Sequence, residues 1–170
     1  MSGMQAVIAV GSNMNNPQRQ VRSAMDALAS LPATRVLHRS SLYQTPPWGV
    51  TDQDDYINAV ALIETLLGAH TLLRALQALE TSAGRIRSGH WQPRPLDLDI
   101  IVYDTVVSTC PELTLPHPRA AQRAFVLVPL LEIAPTIELT GIDSARNLLE
   151  HLPAAEVDAV RRLPVASKAN

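Results

Sequence analysis

The sequence QPRPLDLDIIVYD, residues 92–104, poses the question on which the fold turns. Its second half has the apolar, β-branched content of a strand. Yet it carries two aspartates, Asp97 and Asp99, with Arg94 just ahead of them. Aspartate is among the poorest strand formers. Strand side chains alternate between faces, so Asp97 and Asp99 point the same way, roughly 7 Å apart at about 3.3 Å per residue. Like charges at that range repel unless something cationic lies between them. Leu96, Leu98, Ile100 and Val102 form an apolar row on the opposite face, while Ile101 and Tyr103 continue the acidic one. The expectation is a strand anchored on one side and acidic on the other. A solvated face of an edge strand would account for the aspartates alone. Arg85, Arg87 and Arg94 in the preceding loop suggest another use, because carboxylates and arginines around a loop suit a Mg²⁺-bound polyphosphate.

Working outward, the 170-residue chain is long enough for one domain with a real core, and residues 1–170 are read as that single domain. An apolar fraction of 46% and a formal charge of −2 fit a globular protein and argue against a general binder of nucleic acid or anionic membrane. Cys110 is the only cysteine, which excludes an internal disulfide and fits a reducing compartment. The N-terminal apolar run, residues 6–10, is short and lacks a basic flank, and no stretch approaches the ~20 apolar residues of a bilayer span. The expected location is the cytoplasm. Lys168 is the only lysine, so lysine chemistry is excluded from the body of the fold and every other fixed cation is an arginine.

Along the chain, QAVIAVGSN reads as a short buried strand. Asn16 is placed to cap a helix that Pro17 opens, with Val21, Met25, Leu28 and Leu31 as its apolar stripe. TRVLHRSSLYQT reads as a twisted or bulged strand, PPWGVTDQDD as a long loop, and YINAVALIET as the second strand of the pair. AHTLLRALQALETSAG is a helix with Leu72, Leu76, Leu79 and Ala83 toward the core and Gly84 at its end. The acidic strand follows. The order is βαββαβ, which predicts an α+β, ferredoxin-like antiparallel sheet with helices on one face. A short edge segment, a turn of helix, a mostly apolar stretch, a helix capped by Asp143 or Ser144 and a last helix over AAEVDAVRRL make a C-terminal helical extension. The tail from about residue 164 is expected to fray.

Two further groups of residues carry chemistry. In PHPRAAQRAF, His117 stands between two prolines with Arg119 and Arg123 close by; a structural turn histidine and a phosphate-binding one both fit. In SSLYQTPPWG, two prolines precede Trp48 in a chain with only 4% aromatic residues. Tyr56 and Asn58 share a strand face, where a ring beside a carboxamide can hold a flat heterocycle or simply pack.

The blocks GSN (11–13), SSLYQTPPWG (40–49), DDYINAV (54–60), GRIRSGHWQPRPLDLDI (84–100) and LPHPRAAQRAFVLVPLLEIAP (115–135) together resemble, in order and spacing, 6-hydroxymethyl-7,8-dihydropterin pyrophosphokinase of folate biosynthesis. The resemblance implies diphosphate transfer from ATP to the pterin's hydroxymethyl group with release of AMP. It implies that Asp97 and Asp99 hold two Mg²⁺ ions, with Arg85 and Arg94 as catalytic arginines reaching the phosphates. ATP-binding positions would be Gln77, Glu80, Arg87, Trp91, Ile100, Thr114, His117 and Arg123. The pterin pocket would comprise Thr45, Pro46, Pro47, Trp48, Tyr56, Asn58 and Phe125, with Tyr56 and Phe125 sandwiching the ring. The chain departs from the family pattern in a loop one residue shorter between Arg87 and Trp91, where His90 stands nearest the usual basic residues, and in Glu112, where some members carry arginine. Small-molecule partners and a monomer are expected, without nucleic acid or membrane. A non-catalytic nucleotide- or pterin-binding paralogue is the alternative. An RNA-binding module on this fold would want a basic sheet with exposed aromatics, and this one offers aspartates.

Overall fold

A computed structural model of the chain describes residues 2–47, 53–84 and 95–165. Strand β1 (Met4–Ser12) leads into helix α1 (Pro17–Ala29). Asn16 caps α1 by accepting from the Arg19 amide, and Val21, Ala24, Met25 and Leu28 form its buried stripe. The long strand expected next is broken into β2 (Thr34–Arg39) and β3 (Tyr43–Thr45). Both pair antiparallel with β4 (Tyr56–Thr65), and a register shift between Val36 and His38 marks the irregularity the sequence hinted at. Helix α2 (Ala69–Ser82) follows β4, and Gly84, at φ +92°, takes the left-handed conformation that lets the chain leave it. Strand β5 (Asp97–Tyr103) is the acidic strand.

β1 lies between β4 and β5, antiparallel to both, so the sheet reads β3–β4–β1–β5, with β2 beside β3 along β4. One face carries Ile8, Val10, Ala59, Ile63, Leu98 and Ile100 against α1 and α2. Fully buried side chains such as Ile8, Leu28, Leu72 and Leu76 each contribute about 1.5–3 kcal/mol.

The second face is also covered, which differs from the expectation of helices on one face. After β5 come a small hairpin, β6 (Ser108–Cys110) and β7 (Leu113–Leu115), a 3-10 turn at Ala120–Gln122, and helix α3 (Ala124–Ile133). α3 packs Val126, Leu127 and Leu130 onto Val7, Val60, Ile101 and Val102. A tiny hairpin, β8 (Glu138–Leu139) and β9 (Asp143–Ser144), leads to α4 (Ala145–Glu150), which Ser144 caps through the Asn147 amide. The last expected helix stops early. α5 spans only Ala154–Asp158, and Arg161–Arg162 forms strand β10 on the free edge of β3.

The apolar row read along the acidic strand also needs correction. β1 pairs Ile8 with Ile100 but Val7 with Val102, so Ile101 is the extra residue of a β-bulge. A bulge moves every later side chain to the opposite face. Val102 therefore joins the α3 side, while Tyr103 crosses to the α1/α2 side and donates its hydroxyl to the Leu67 carbonyl at 2.7 Å.

Candidate functional site

Residues paired across antiparallel strands share a face. The register aligns Asp97 with Gly11, Gly11 with Asn58, and Asn58 with Tyr43; the next row aligns Asp99 with Ala9 and Ala9 with Val60. This is the face on which α3 lies, at the end α3 does not fully cover: Asp97, Asp99, Ala9 and Tyr56 are all half-buried. Neighbouring strands are about 4.8 Å apart, so the Asp97 backbone lies roughly 10 Å from that of Asn58. Between them Gly11 leaves the floor clear. A Cβ there would come 3.0 Å from the Asn58 Oδ1, so the carboxamide would have to shift for any larger residue.

At the β4 end, Asn58 is buried and donates its Nδ2 to the Thr45 Oγ1 at 2.8 Å. That bond fixes the carboxamide's orientation and occupies one of its donors. Thr45, Pro46 and Pro47, leaving β3, face Ala124 and Phe125 of α3 across a pocket of about 300 Å³ whose remaining wall is the C-terminal segment. The Arg123 guanidinium sits over the Phe125 ring, 5.5 Å from its centroid.

His117 stands close enough to both ends of this arrangement to feel Asp97 and Arg123. Its amide donates to the Ile101 carbonyl at 2.8 Å, and its Nδ1 accepts from the Arg119 amide at 3.2 Å. Burial, then the positive charge of Arg123, lowers its pKa to about 4, against the opposing pull of Asp97. The ring is therefore neutral near pH 7, and with Nδ1 accepting, its proton resides on Nε2.

Glu80 of α2 is 2% exposed, and its Oε2 accepts the Leu98 amide at 2.9 Å, binding the C-terminal turn of α2 to β5 at the sheet's edge. Ile100 points its side chain into the α1/α2 core, so its backbone, and not its side chain, borders the acidic face. Gln77 is half-buried on α2; Thr114, on β7, donates its hydroxyl to the Cys110 carbonyl. Glu112 makes an exposed ion pair with Arg74 at 3.8 Å. Trp48, Arg85, Arg87, His90, Trp91 and Arg94 lie outside the described residues.

Three features went unread in the sequence. Asn13, buried after β1, donates to the Gln53 side chain and the Asp54 carbonyl, holding the far end of the loop that Pro46 begins. Glu132 of α3 accepts from the Ser41 amide and hydroxyl and from the Tyr43 hydroxyl, each at 2.8 Å, and pairs with Arg162 at 3.5 Å. Burial works against its charge, but the bonds from Ser41 and Tyr43, with Arg162, outweigh it and hold the carboxyl below its usual range. Tyr43 is pushed up to about 12 by burial and by Glu132. The third is the C-terminal wall of the pocket. A lone glutamate in an apolar helix carries no signal of its partners, and the pocket wall depends on a chain reversal that no local pattern announces.

Comparison with known proteins places the chain in a family. The family model for 7,8-dihydro-6-hydroxymethylpterin-pyrophosphokinase matches residues 7–135. The 2-amino-4-hydroxy-6-hydroxymethyldihydropteridine pyrophosphokinase of Pseudomonas aeruginosa is 42% identical over 94% of this chain and 96% of its own length. That of Haemophilus influenzae is 45% identical over 85% of this chain and 91% of its own. Among solved structures, wild-type Plasmodium falciparum HPPK-DHPS with pteroate superposes with a TM-score of 0.69 at 11% identity, over 88% of this chain and 42% of that one. This chain thus spans less than half of that protein, and at such identity the likeness concerns the fold alone. The sequence matches reach further: the family model spans most of the chain and these relatives exceed 40% identity over most of both lengths, and on them the chain belongs to the 7,8-dihydro-6-hydroxymethylpterin-pyrophosphokinase family.

Proposed function

We propose that this chain performs the reaction its family is named for: transfer of diphosphate from ATP to 6-hydroxymethyl-7,8-dihydropterin. The hydroxymethyl oxygen bonds to the β-phosphorus, the bond from that phosphorus to the α–β bridging oxygen breaks, AMP leaves, and the hydroxyl proton passes to solvent. The observation that carries this reading is the half-covered sheet face, with two carboxylates at one end and an aromatic-walled pocket of about 300 Å³ toward the other. That volume falls within the range of small-ligand sites.

In this reading the pterin lies between Tyr56 and Phe125. Thr45 holds Asn58 so that its remaining groups meet the ring edge, and Pro46, Pro47 and Trp48 close the side. Asp97 and Asp99 fit Mg²⁺, which typically takes one or two carboxylates plus phosphate oxygens. Two ions held there would neutralise phosphate charge and lower the hydroxyl's pKa. His117, neutral with its proton on Nε2, is a hydrogen-bond donor to a phosphate oxygen without adding charge. Arg123, Arg85, Arg87 and Arg94 supply the positive charge, and Gln77, Glu80, Trp91, Ile100 and Thr114 border the nucleotide. The work is positioning and charge neutralisation, with no covalent intermediate on the protein.

We read the βαββαβ unit as ferredoxin-like, the segments that follow the acidic strand as its C-terminal extension, the working unit as a monomer and the compartment as the cytoplasm. No described helix is long and apolar enough to cross a membrane. The test is an AMP assay in which ATP, Mg²⁺ and the pterin alcohol are omitted in turn. AMP should form only with all three; a protein that binds ATP and pterin yet releases no AMP would be the non-catalytic paralogue instead.

A further inference from the structure

Residues 154–162 lie beyond the residues the family model matches, yet four of them form one side of the pocket. Ala155 and Glu156 of α5, with Ala159 and Val160 just after it, face Phe125 and residues 45–47 across the cavity. That cavity shares Thr45, Pro46, Pro47 and Phe125 with the proposed pterin site, and neither Tyr56 nor Asn58 is in its lining. We propose that this C-terminal strap backs the shared wall, Phe125 and residues 45–47, and so sets how tightly the pterin is held. The proposal rests on the pterin reading above.

The strap is fastened at both walls it bridges. Toward β3, Arg161 and Arg162 pair with Gln44 and Tyr43, and the Leu163 amide donates to the Leu42 carbonyl at 2.8 Å. These residues run directly into Thr45, Pro46 and Pro47. Toward α3, Arg162 pairs with Glu132, the same carboxylate that takes the Ser41 and Tyr43 hydrogen bonds. Glu132 lies seven residues after Phe125 on one short helix, about two turns away. One carboxylate thus joins the strand that leads to the prolines, the helix that carries Phe125, and the strap. A stacking wall is useful only if its spacing to the opposite wall is fixed, and this junction fixes it from outside the cavity. The strap's own contribution to the lining is small and apolar apart from Glu156. It leaves the cavity open, and a larger side chain there would press on Phe125 and residues 45–47, which the ring needs in place.

The experiment fills the pocket from the strap. Val160→Trp should raise the pterin KM at least tenfold while the ATP KM and the melting temperature stay near wild type. Should that variant fail to fold, Ala155→Trp tests the same wall, because Ala155 is exposed and a bulky group there disturbs no core. Direct binding of oxidised 6-hydroxymethylpterin, followed by its own fluorescence, should weaken in parallel. Folded variants with unchanged pterin KM and unchanged pterin binding would overturn the proposal. Wild-type AMP formation, run alongside, separates that outcome from failure of the functional reading. An active wild type with indifferent strap variants refutes only the strap, while an inactive wild type refutes the reaction.

Discussion

On the α1/α2 side of the sheet, the strand residues are apolar except at the ends, where Ser12 and Thr65 are buried, and meet two helices; on the α3 side, only one half is finished that way. Val7, Val60, Ile101 and Val102 lie under α3, while Asp97, Asp99 and Tyr56 stay half-exposed at the other end. The same strand, β5, serves both sides. Its Leu98 and Ile100 are 4% and 3% exposed in the core, and the aspartates alternate with them. Stability and chemistry are thus separated by the two-residue repeat of a strand, and exchanging a residue on either side should fail in a different way.

The largest expected effect is on the chemical side. Asp99→Asn should lower turnover by about 4 kcal/mol of transition-state stabilisation, close to a thousandfold, while unfolding by denaturant stays unchanged. A folded variant with near-normal turnover in Mg²⁺ would break the comparison. One residue away, Leu98→Ala should cost about 3 kcal/mol of stability by leaving a cavity against α2, with turnover per folded molecule kept within a few-fold. Equal loss of both properties in both variants would mean that the faces are not independent.

Phe125→Ala sharpens the division within the site itself. It should weaken pterin binding by about 1–2 kcal/mol and leave ATP binding nearly intact, which calorimetry with each ligand can resolve. A further prediction concerns His117 and acts on stability in acid alone. Its folded pKa, about 4, lies below the ordinary 6.5, so the unfolded chain binds the extra proton first. The stability this contributes is complete above about pH 6.5 and is lost as pH falls toward 4. In the ligand-free protein, His117→Asn should flatten that part of the acid-unfolding profile, and the wild-type imidazole signal should titrate near pH 4 by NMR.

Much of this was legible because it is written in short-range patterns. The α1 cap at Asn16, the α2 stripe and the paired aspartates each follow from periodicity or a single local bond. The bulge at Ile101 was not legible. LDLD alternates, but IIVY is apolar throughout and carries no mark of a slip, and only pairing with β1 shows that Tyr103 belongs to the other face. The break between β2 and β3 was half visible, as the serines at 40 and 41 weaken a strand, but their partner, Glu132, lies 91 residues away from Ser41. Arg161 and Arg162 continue a plausible helical pattern after α5, and only the open edge of β3 makes them a strand. Within the site, the carboxylates and the Tyr56/Asn58 pair could be read from spacing, whereas the meeting of residues 45–47 with Phe125 and the strap depends on long-range packing.

The most direct test of the central claim is to identify the unit transferred. Phosphorus NMR of wild-type protein mixed with ATP, Mg²⁺ and the pterin alcohol should show AMP and a pterin diphosphate ester accumulating in equal amounts, with two coupled phosphorus signals in the ester. Asp99→Asn should leave ATP unchanged over the same time. Formation of ADP with a single-phosphate ester, or release of AMP with free diphosphate whether or not the pterin is present, would contradict the account.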